Sequence, residues 1–270
     1  MKRGKQQDRR GPAPSSSARG TEPDGEIVFG HRAAAAVWAV RPGDVIKIGY
    51  ARERAADVEE MLRAAAAQRI PVDELGEGEL ERAARSTHHE GLVVRAKPRK
   101  WSSLSDLADA LIRARGFAVA LDRVRNPYNV GAILRSAAFF GIDAAILGSL
   151  APHPALAPDA IRVAEGGVEH LRLSRTTDLA ETLVRLRGRG LRVIGAESDA
   201  RASLFGYAFA APTVLVLGHE RDGLSPAVRA ACDDVVAIPG AGHVVSLNVG
   251  VAASVCIAEL ARGRARPRSA

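Results

Sequence analysis

From Phe117 onward the chain repeats one pattern, a short and mainly apolar run followed by a stretch with helical spacing. The runs 117–121, 144–147, 191–196, 213–217 and 235–238 have strand length and lack polar alternation, as expected of strands covered on both faces. Helical patterns lie between and after them at 130–140, 158–165, 178–187, 226–231 and 249–260. Strand and helix in turn imply an α/β fold with a mainly parallel sheet. In such a sheet ligands bind outside the carboxyl ends of the strands, so the loops there are where chemistry is sought.

The first part of the chain is organised differently. Residues 1–25 are rich in Gly, Pro, Ser and charge, with almost no large apolar residue, and are expected to be a disordered basic tail. From 26 to 96 a short start and an Ala-rich helix (27–39), a strand (45–50), a helix (55–69) and a strand (92–95) read as a small α/β unit. Residues 97–115 read as a linker running into a helix from Leu104, residues 116–262 as the larger unit, and 263–270 as a second basic tail.

The charge distribution fits that division. Net charge is +7, of which residues 1–25 carry +3 and residues 262–270 carry +4, leaving 26–261 neutral. A basic tail attracts polyanions, nucleic acid among them, or simply solubilises an arginine-rich chain of 33 Arg and 5 Lys. Cys232 and Cys256 are too few for a disulfide framework and lack the paired spacing of a zinc site, so a reducing, cytoplasmic setting is expected. No apolar run approaches the ~20 residues that cross a bilayer. His88 and His89 stand together without further ligand-type neighbours, and no metal is expected.

Three strand-end loops are unusual. In LDRVRNPYNVGAILRSAAFFG, Asn126, Asn129, Gly131 and Arg135 follow a strand and enter a helix whose apolar stripe is Val130, Ile133, Leu134, Ala137 and Ala138. Asn129 has the chemistry of an N-cap, and Arg135 lies off the stripe, either solvated or functional. In VLVLGHERDGLS an apolar strand runs into Gly218, with Glu220 two residues later at the edge of the sheet where ligands bind. In VVAIPGAGHVVSLNVGVAASV a strand ends at Ile238 and Pro239, and Ser246, Leu247 and Asn248 precede a helix of small residues. Ser246 and Asn248 are either its caps or site residues, and the small residues permit close packing.

Taken together, N-x-x-N-x-G-x-x-x-R, then apolar-G-x-E-x-x-G-L-S, then I-P-x-x-G-x-x-x-S-L-N-V closely resemble the three motifs of the SpoU, or TrmH, family of RNA ribose 2'-O-methyltransferases in the SPOUT superfamily. The likeness spans roughly 117–261 and includes AEGGVEH at 164–170, while 26–96, ending in THHEGLVV, is similar to the family's small RNA-binding domain. The resemblance implies a SPOUT-type sheet with a C-terminal trefoil knot, S-adenosylmethionine (SAM) bound in the knot, and a homodimer acting on rRNA or tRNA.

Carried over by motif position, Gly218, Ile238 and Leu247 line the SAM pocket. Arg135 acts at the target ribose, Asn129 holds Arg135 or the ribose, Glu220 positions the arginine or the cofactor region, and Ser246 and Asn248 complete the site. An arginine is a poor free base with a pKa above ~12, so stabilising the oxyanion or clamping a phosphate is physically easier for Arg135. Glu90, Arg221 and Gly240 depart from the family pattern, where glutamine, a small or neutral residue and methionine are usual; they bear on RNA entry and pocket shape. Two other readings are weighed against this one. A dinucleotide-binding enzyme would need G-x-G-x-x-G after its first strand, and 121–131 has one glycine, late. A catalytically silent RNA-binding protein would be favoured by a broken first motif, and Asn129 and Arg135 are both present.

Overall fold

The computed structural model describes residues 25–148, 156–244 and 246–265. The expected disordered tail lies outside the described residues save its last, as do the final five residues of the C-terminal tail.

The larger unit holds a seven-stranded sheet in which every neighbouring pair is parallel. Its strands are β5 (Phe117–Asp122), β6 (Ala144–Gly148), β7 (Arg172–Thr176), β8 (Arg192–Ala196), β9 (Ala202–Ser203), β10 (Thr213–Leu217) and β11 (Asp234–Ala237), in the order β7-β6-β5-β10-β8-β11-β9. Residues of β5, β6 and β10 are buried throughout, which is why their sequences are apolar without alternation. On one face pack α5 (Pro127–Phe139), α6 (Pro158–Val163) and α9 (Val249–Ala265); on the other pack α4 (Leu104–Ala114), α7 (Leu179–Gly188) and α8 (Pro226–Ala231).

The smaller unit is a four-stranded sheet of β1 (Glu26–Phe29), β2 (Val45–Tyr50), β3 (Val72–Glu74) and β4 (Leu92–Ala96), in the order β1-β4-β2-β3, with only β2 and β3 parallel. With it go α1 (His31–Val40), α2 (Glu59–Ala67) and α3 (Glu77–Ala84).

Several boundaries differ from expectation for local reasons. The helix α5 starts at Pro127 and not at Val130, and its cap is Asn126, whose Oδ1 accepts the Tyr128 N–H at 2.9 Å; Asn129 is already inside the first turn. Proline at the first helical position needs no N–H partner, so the Asn-Pro pair starts the helix three residues early. The second helix of the small unit begins at Glu59, since residues 52–54 form a 3-10 turn. The strands β3, β7 and β9 and the helix α3 were not expected: β3 and β9 are very short, β7 at the sheet's edge has Leu173 as its one apolar residue, and α3 carries three glutamates in eight residues.

The two units are tied by buried charge. Arg41 at the end of α1 and Arg99 both pair with Glu26 of β1 and with Glu169 of the larger unit, with N–O distances between 2.5 and 3.1 Å for the close contacts. These side chains are at most 14% exposed. Burial alone would lower the pKa of Arg41, but the Glu169 and Glu26 carboxylates more than offset it, so it lies above its usual value. Leaving one member of such a cluster unpaired costs roughly 3–5 kcal/mol, so the network holds the segment around Glu169 against the small unit.

Candidate active site

The three sequence motifs converge through a chain of side-chain hydrogen bonds. Asn248, just before α9, accepts the Gly250 N–H on Oδ1 at 2.8 Å and is therefore that helix's cap. Its amide nitrogen donates to Asn129 Oδ1 at 3.2 Å, and Asn129 in turn donates from Nδ2 to Glu220 Oε1 at 2.7 Å. Residues 91 and 119 positions apart are thus joined in one line. The chain forms because α9 lies directly on α5: a Cβ on Gly250 would sit 3.4 Å from Ala132 and 3.7 Å from Asn129 Oδ1, and the Ser136 and Ser254 hydroxyls meet at 2.8 Å. The small residues of the third motif therefore pack within the chain.

Beside this chain opens a cavity of about 600 Å³, lined by the strand ends Ala196, Val236 and Ile238, by Glu197, His219 and Glu220, and by Gly240, Ser246 and Leu247 from the loop before α9. Cys256 closes its floor, and burial pushes that thiol up to about 12, so it stays neutral. Gly218 is not among the lining residues. A Cβ there would lie 2.3 Å from Gly223 C and 2.5 Å from Leu224 N, so its bareness allows the loop to fold back. The turn so formed is closed by reciprocal His219 and Gly223 N–H to carbonyl bonds of 3.0 Å. Asp122, buried at the end of β5, anchors the same loop by accepting the Ser225 N–H at 2.6 Å; sequence reasoning passed over it, although an acid ending an apolar strand is a visible signal.

Arg135 is not part of this chain. It points to the junction of the two units, where its Nη2 lies 2.9 Å from Glu165 Oε2. Asn129 therefore holds Glu220 and Asn248, not Arg135, and Glu220 holds Asn129. Gly131 serves helix packing, since a Cβ on it would strike Ala160 O and Val163 Cβ at 2.6 Å. A second cleft of about 740 Å³ lies at Arg135, lined also by Arg32, Arg54, Glu90, Arg162 and Glu165. Glu165 was not singled out in the sequence; its signal was the Glu-Gly-Gly that ends a helical pattern.

The SpoU rRNA methylase family profile matches residues 116–258, and the profile for the substrate-binding domain of RNA 2'-O ribose methyltransferases matches residues 27–102. The chain belongs to the SpoU rRNA methylase family. It is 36% identical over 242 residues to a 23S rRNA (guanosine-2'-O-)-methyltransferase RlmB of Pseudomonas aeruginosa, covering 88% of this chain and 97% of that one. The corresponding protein of Photobacterium profundum is 32% identical over 241 residues, covering 88% and 98%. Among solved structures, the SpoU methyltransferase AviRb of Streptomyces viridochromogenes in complex with AdoMet superposes with a TM-score of 0.73 at 26% identity, covering 88% of this chain and 90% of that one.

The protein is accordingly a SAM-dependent RNA 2'-O-methyltransferase of mixed α/β fold. The 600 Å³ cavity fits that cofactor: it has the size of a small-molecule site, an apolar wall of Val236, Ile238, Leu247, Val249 and Ala252, and carboxylates at its polar side. Among the described residues there is no cluster of three metal-binding side chains and no helix long and apolar enough to cross a membrane.

Proposed function

We propose that this SpoU methyltransferase modifies the ribose of a guanosine in 23S rRNA, using Arg135 at the ribose and the Asn248–Asn129–Glu220 chain to shape the cofactor site. The observation that carries this reading is the meeting of all three motifs in one hydrogen-bonded chain beside a cavity that the second and third of them line, with Arg135 on the same helix as the central asparagine. The names of the two RlmB relatives point to the guanosine of 23S rRNA.

When bound, the cofactor supplies an electrophilic methyl on a sulfonium. The residues of the chain then have separable tasks. Ile238 and Leu247 offer apolar contact and backbone groups to the adenine, Gly218 keeps the 218–224 turn tight against the cavity, and Ser246 presents a hydroxyl at its mouth. Glu220 is fixed by Asn129, and Asn129 by Asn248, so the carboxylate keeps one orientation without needing a cationic partner. Arg135 lowers the cost of removing the ribose proton to solvent by stabilising the negative charge that develops on the 2'-oxygen as the proton leaves, before that oxygen attacks the methyl carbon. A guanidinium does this as a fixed positive charge and not as a base.

Two further features belong to the proposal. A homodimer is supported by large apolar side chains left on the α5 and α9 surfaces, where Phe139 is 82% exposed and Val251 52% exposed, since exposed apolar surface of this kind is favourable to bury against a second copy. A trefoil knot is supported by the course of the chain, since the 218–224 and 239–248 loops border one cavity and α9 then returns to α5. Light scattering at micromolar concentration should give twice the mass of one chain; the mass of a single chain would contradict the dimer. A cytoplasmic location accords with a ribosomal RNA substrate.

The substrate test is direct. In vitro transcribed 23S rRNA and total tRNA are each incubated with the protein and SAM, and 2'-O-methyl positions are mapped. The expected result is one methylated guanosine in 23S rRNA. Methylation confined to tRNA would overturn the substrate assignment while leaving the enzyme class intact.

A further inference from the structure

Glu165 has an unusual position. It follows α6 in the left-handed conformation, φ +46°, and is succeeded by Gly166 at φ +85°. That turn is pressed against the small unit, because a Cβ on Gly166 would lie 2.5 Å from Ala36 Cβ on α1. The result is that one carboxylate oxygen, Glu165 Oε2, is ion-paired with two arginines of different units: Arg32, whose Nη1 donates a hydrogen bond to it at 2.7 Å, and Arg135, whose Nη2 lies 2.9 Å away.

The other arginines of the cleft have carboxylates of their own. Arg54 pairs with Asp57 at 3.1 Å, and Arg162 with Glu90 at 3.5 Å, Glu90 also accepting the His31 N–H at 3.0 Å. The Nε of Arg162 is buried without a partner. The Arg162–Glu90 pair crosses the junction too, but among the described carboxylates of the cleft Glu165 alone bridges two arginines, and it does so where solvent has access: Arg32 and Arg135 side chains are 71% and 52% exposed.

A single anionic oxygen within 2.7–2.9 Å of two guanidinium groups is also how a non-bridging phosphate oxygen sits between two arginines. We infer that Arg32 and Arg135 form a binding site for an RNA backbone phosphate next to the target ribose, and that the Glu165 carboxylate fills it as an internal substitute until RNA displaces it. Ion pairs this exposed are weak, so the exchange is easy, and a phosphate, with two anionic oxygens, can accept from both guanidinium groups at once. Filling the pair internally also keeps Arg135 directed into the cleft in the absence of RNA, and makes engagement of the ribose-side arginine depend on a polyanion. The inference rests on the RNA methyltransferase reading and assigns to Arg32, on the small unit, a part in the same site.

The test is equilibrium binding of in vitro transcribed 23S rRNA, and of total tRNA as a second polyanion, across a series of salt concentrations, with SAM binding measured by calorimetry on each protein. Glu165→Gln removes the competing charge and keeps the shape; it should tighten RNA binding about fivefold and steepen the dependence of log affinity on log salt by about one. Arg32→Gln should weaken binding about tenfold and flatten that slope by about one. In the double variant the gain from Glu165→Gln should vanish, since the site it uncovers has lost an arm. SAM affinity should be unchanged in all three. Glu165→Gln binding RNA as the unaltered protein does, or more weakly, would overturn the proposal and leave Glu165 a structural tie. The substrate reading fails separately: if no methyl reaches 23S rRNA while these binding contrasts hold, the phosphate site stands and the substrate assignment falls.

Discussion

Asn129 and Arg135 stand six residues apart on α5, about 9 Å along its axis, yet their surroundings have little in common. Asn129 is held between two neutral or singly charged partners in a line fixed at 3.2 and 2.7 Å, with its cavity walled by strand ends and a tight glycine turn. Arg135 is half exposed, shares its only close carboxylate with a residue of the other unit, and faces a cleft lined by three further arginines. On the proposed reading the helix separates two kinds of recognition. A small cofactor is best bound by groups whose orientation is settled in advance, because each rotamer frozen on binding subtracts from affinity. An RNA backbone is bound by charges that exchange one anion for another, where exposure is an advantage and salt sets the strength.

If that division is correct, the two ends of the helix can be broken independently. Arg135→Ala should lower methyl transfer by ~10²–10⁴-fold, the usual scale for removing a group that acts on the reacting oxygen. SAM affinity should stay within a few-fold of the unaltered protein, because no cavity-lining group contacts Arg135 in the described structure. Calorimetry with SAM and a radiolabelled transfer assay on one preparation decide it. A matching collapse of SAM affinity would show that the two ends are one site, and undiminished transfer would remove Arg135 from the reaction.

The same separation explains what the sequence made legible. The parallel sheet could be read because β5, β6 and β10 are buried on both faces and can carry only apolar residues. The strand β7 could not, because an edge strand with Arg172 and Arg175 facing out looks like a loop. The motifs marked Asn129, Arg135, Glu220 and Asn248 as site residues, but their partners depended on distances that only the fold sets. The resemblance implied that Asn129 holds Arg135 or the ribose; at six residues the two side chains leave the helix about 120° apart, and each finds a partner from elsewhere in the chain. Glu165 was missed because its role needs two units packed together, and a helix-ending Glu-Gly-Gly reads locally as a stop signal.

A smaller effect tests the ordered end. Asn248 does two things at once: its Oδ1 caps α9 and its Nδ2 holds Asn129. Asn248→Ala loses both, and the lost cap alone should cost about 1 kcal/mol, a fall of roughly 2–4 °C in Tm for a chain of this size. Asn248→Asp keeps an oxygen for the cap but has no N–H to give Asn129, so stability should largely return. If the hydrogen-bonded chain matters to the cofactor site, SAM affinity should remain reduced in the aspartate variant, by roughly the factor of 5–10 expected for one neutral hydrogen bond. RNA binding by the cleft should be the same in both variants. Recovery of SAM affinity along with Tm in Asn248→Asp would mean that capping is all Asn248 does, and that Glu220 takes its orientation from the turn around Gly218 and not from the asparagines.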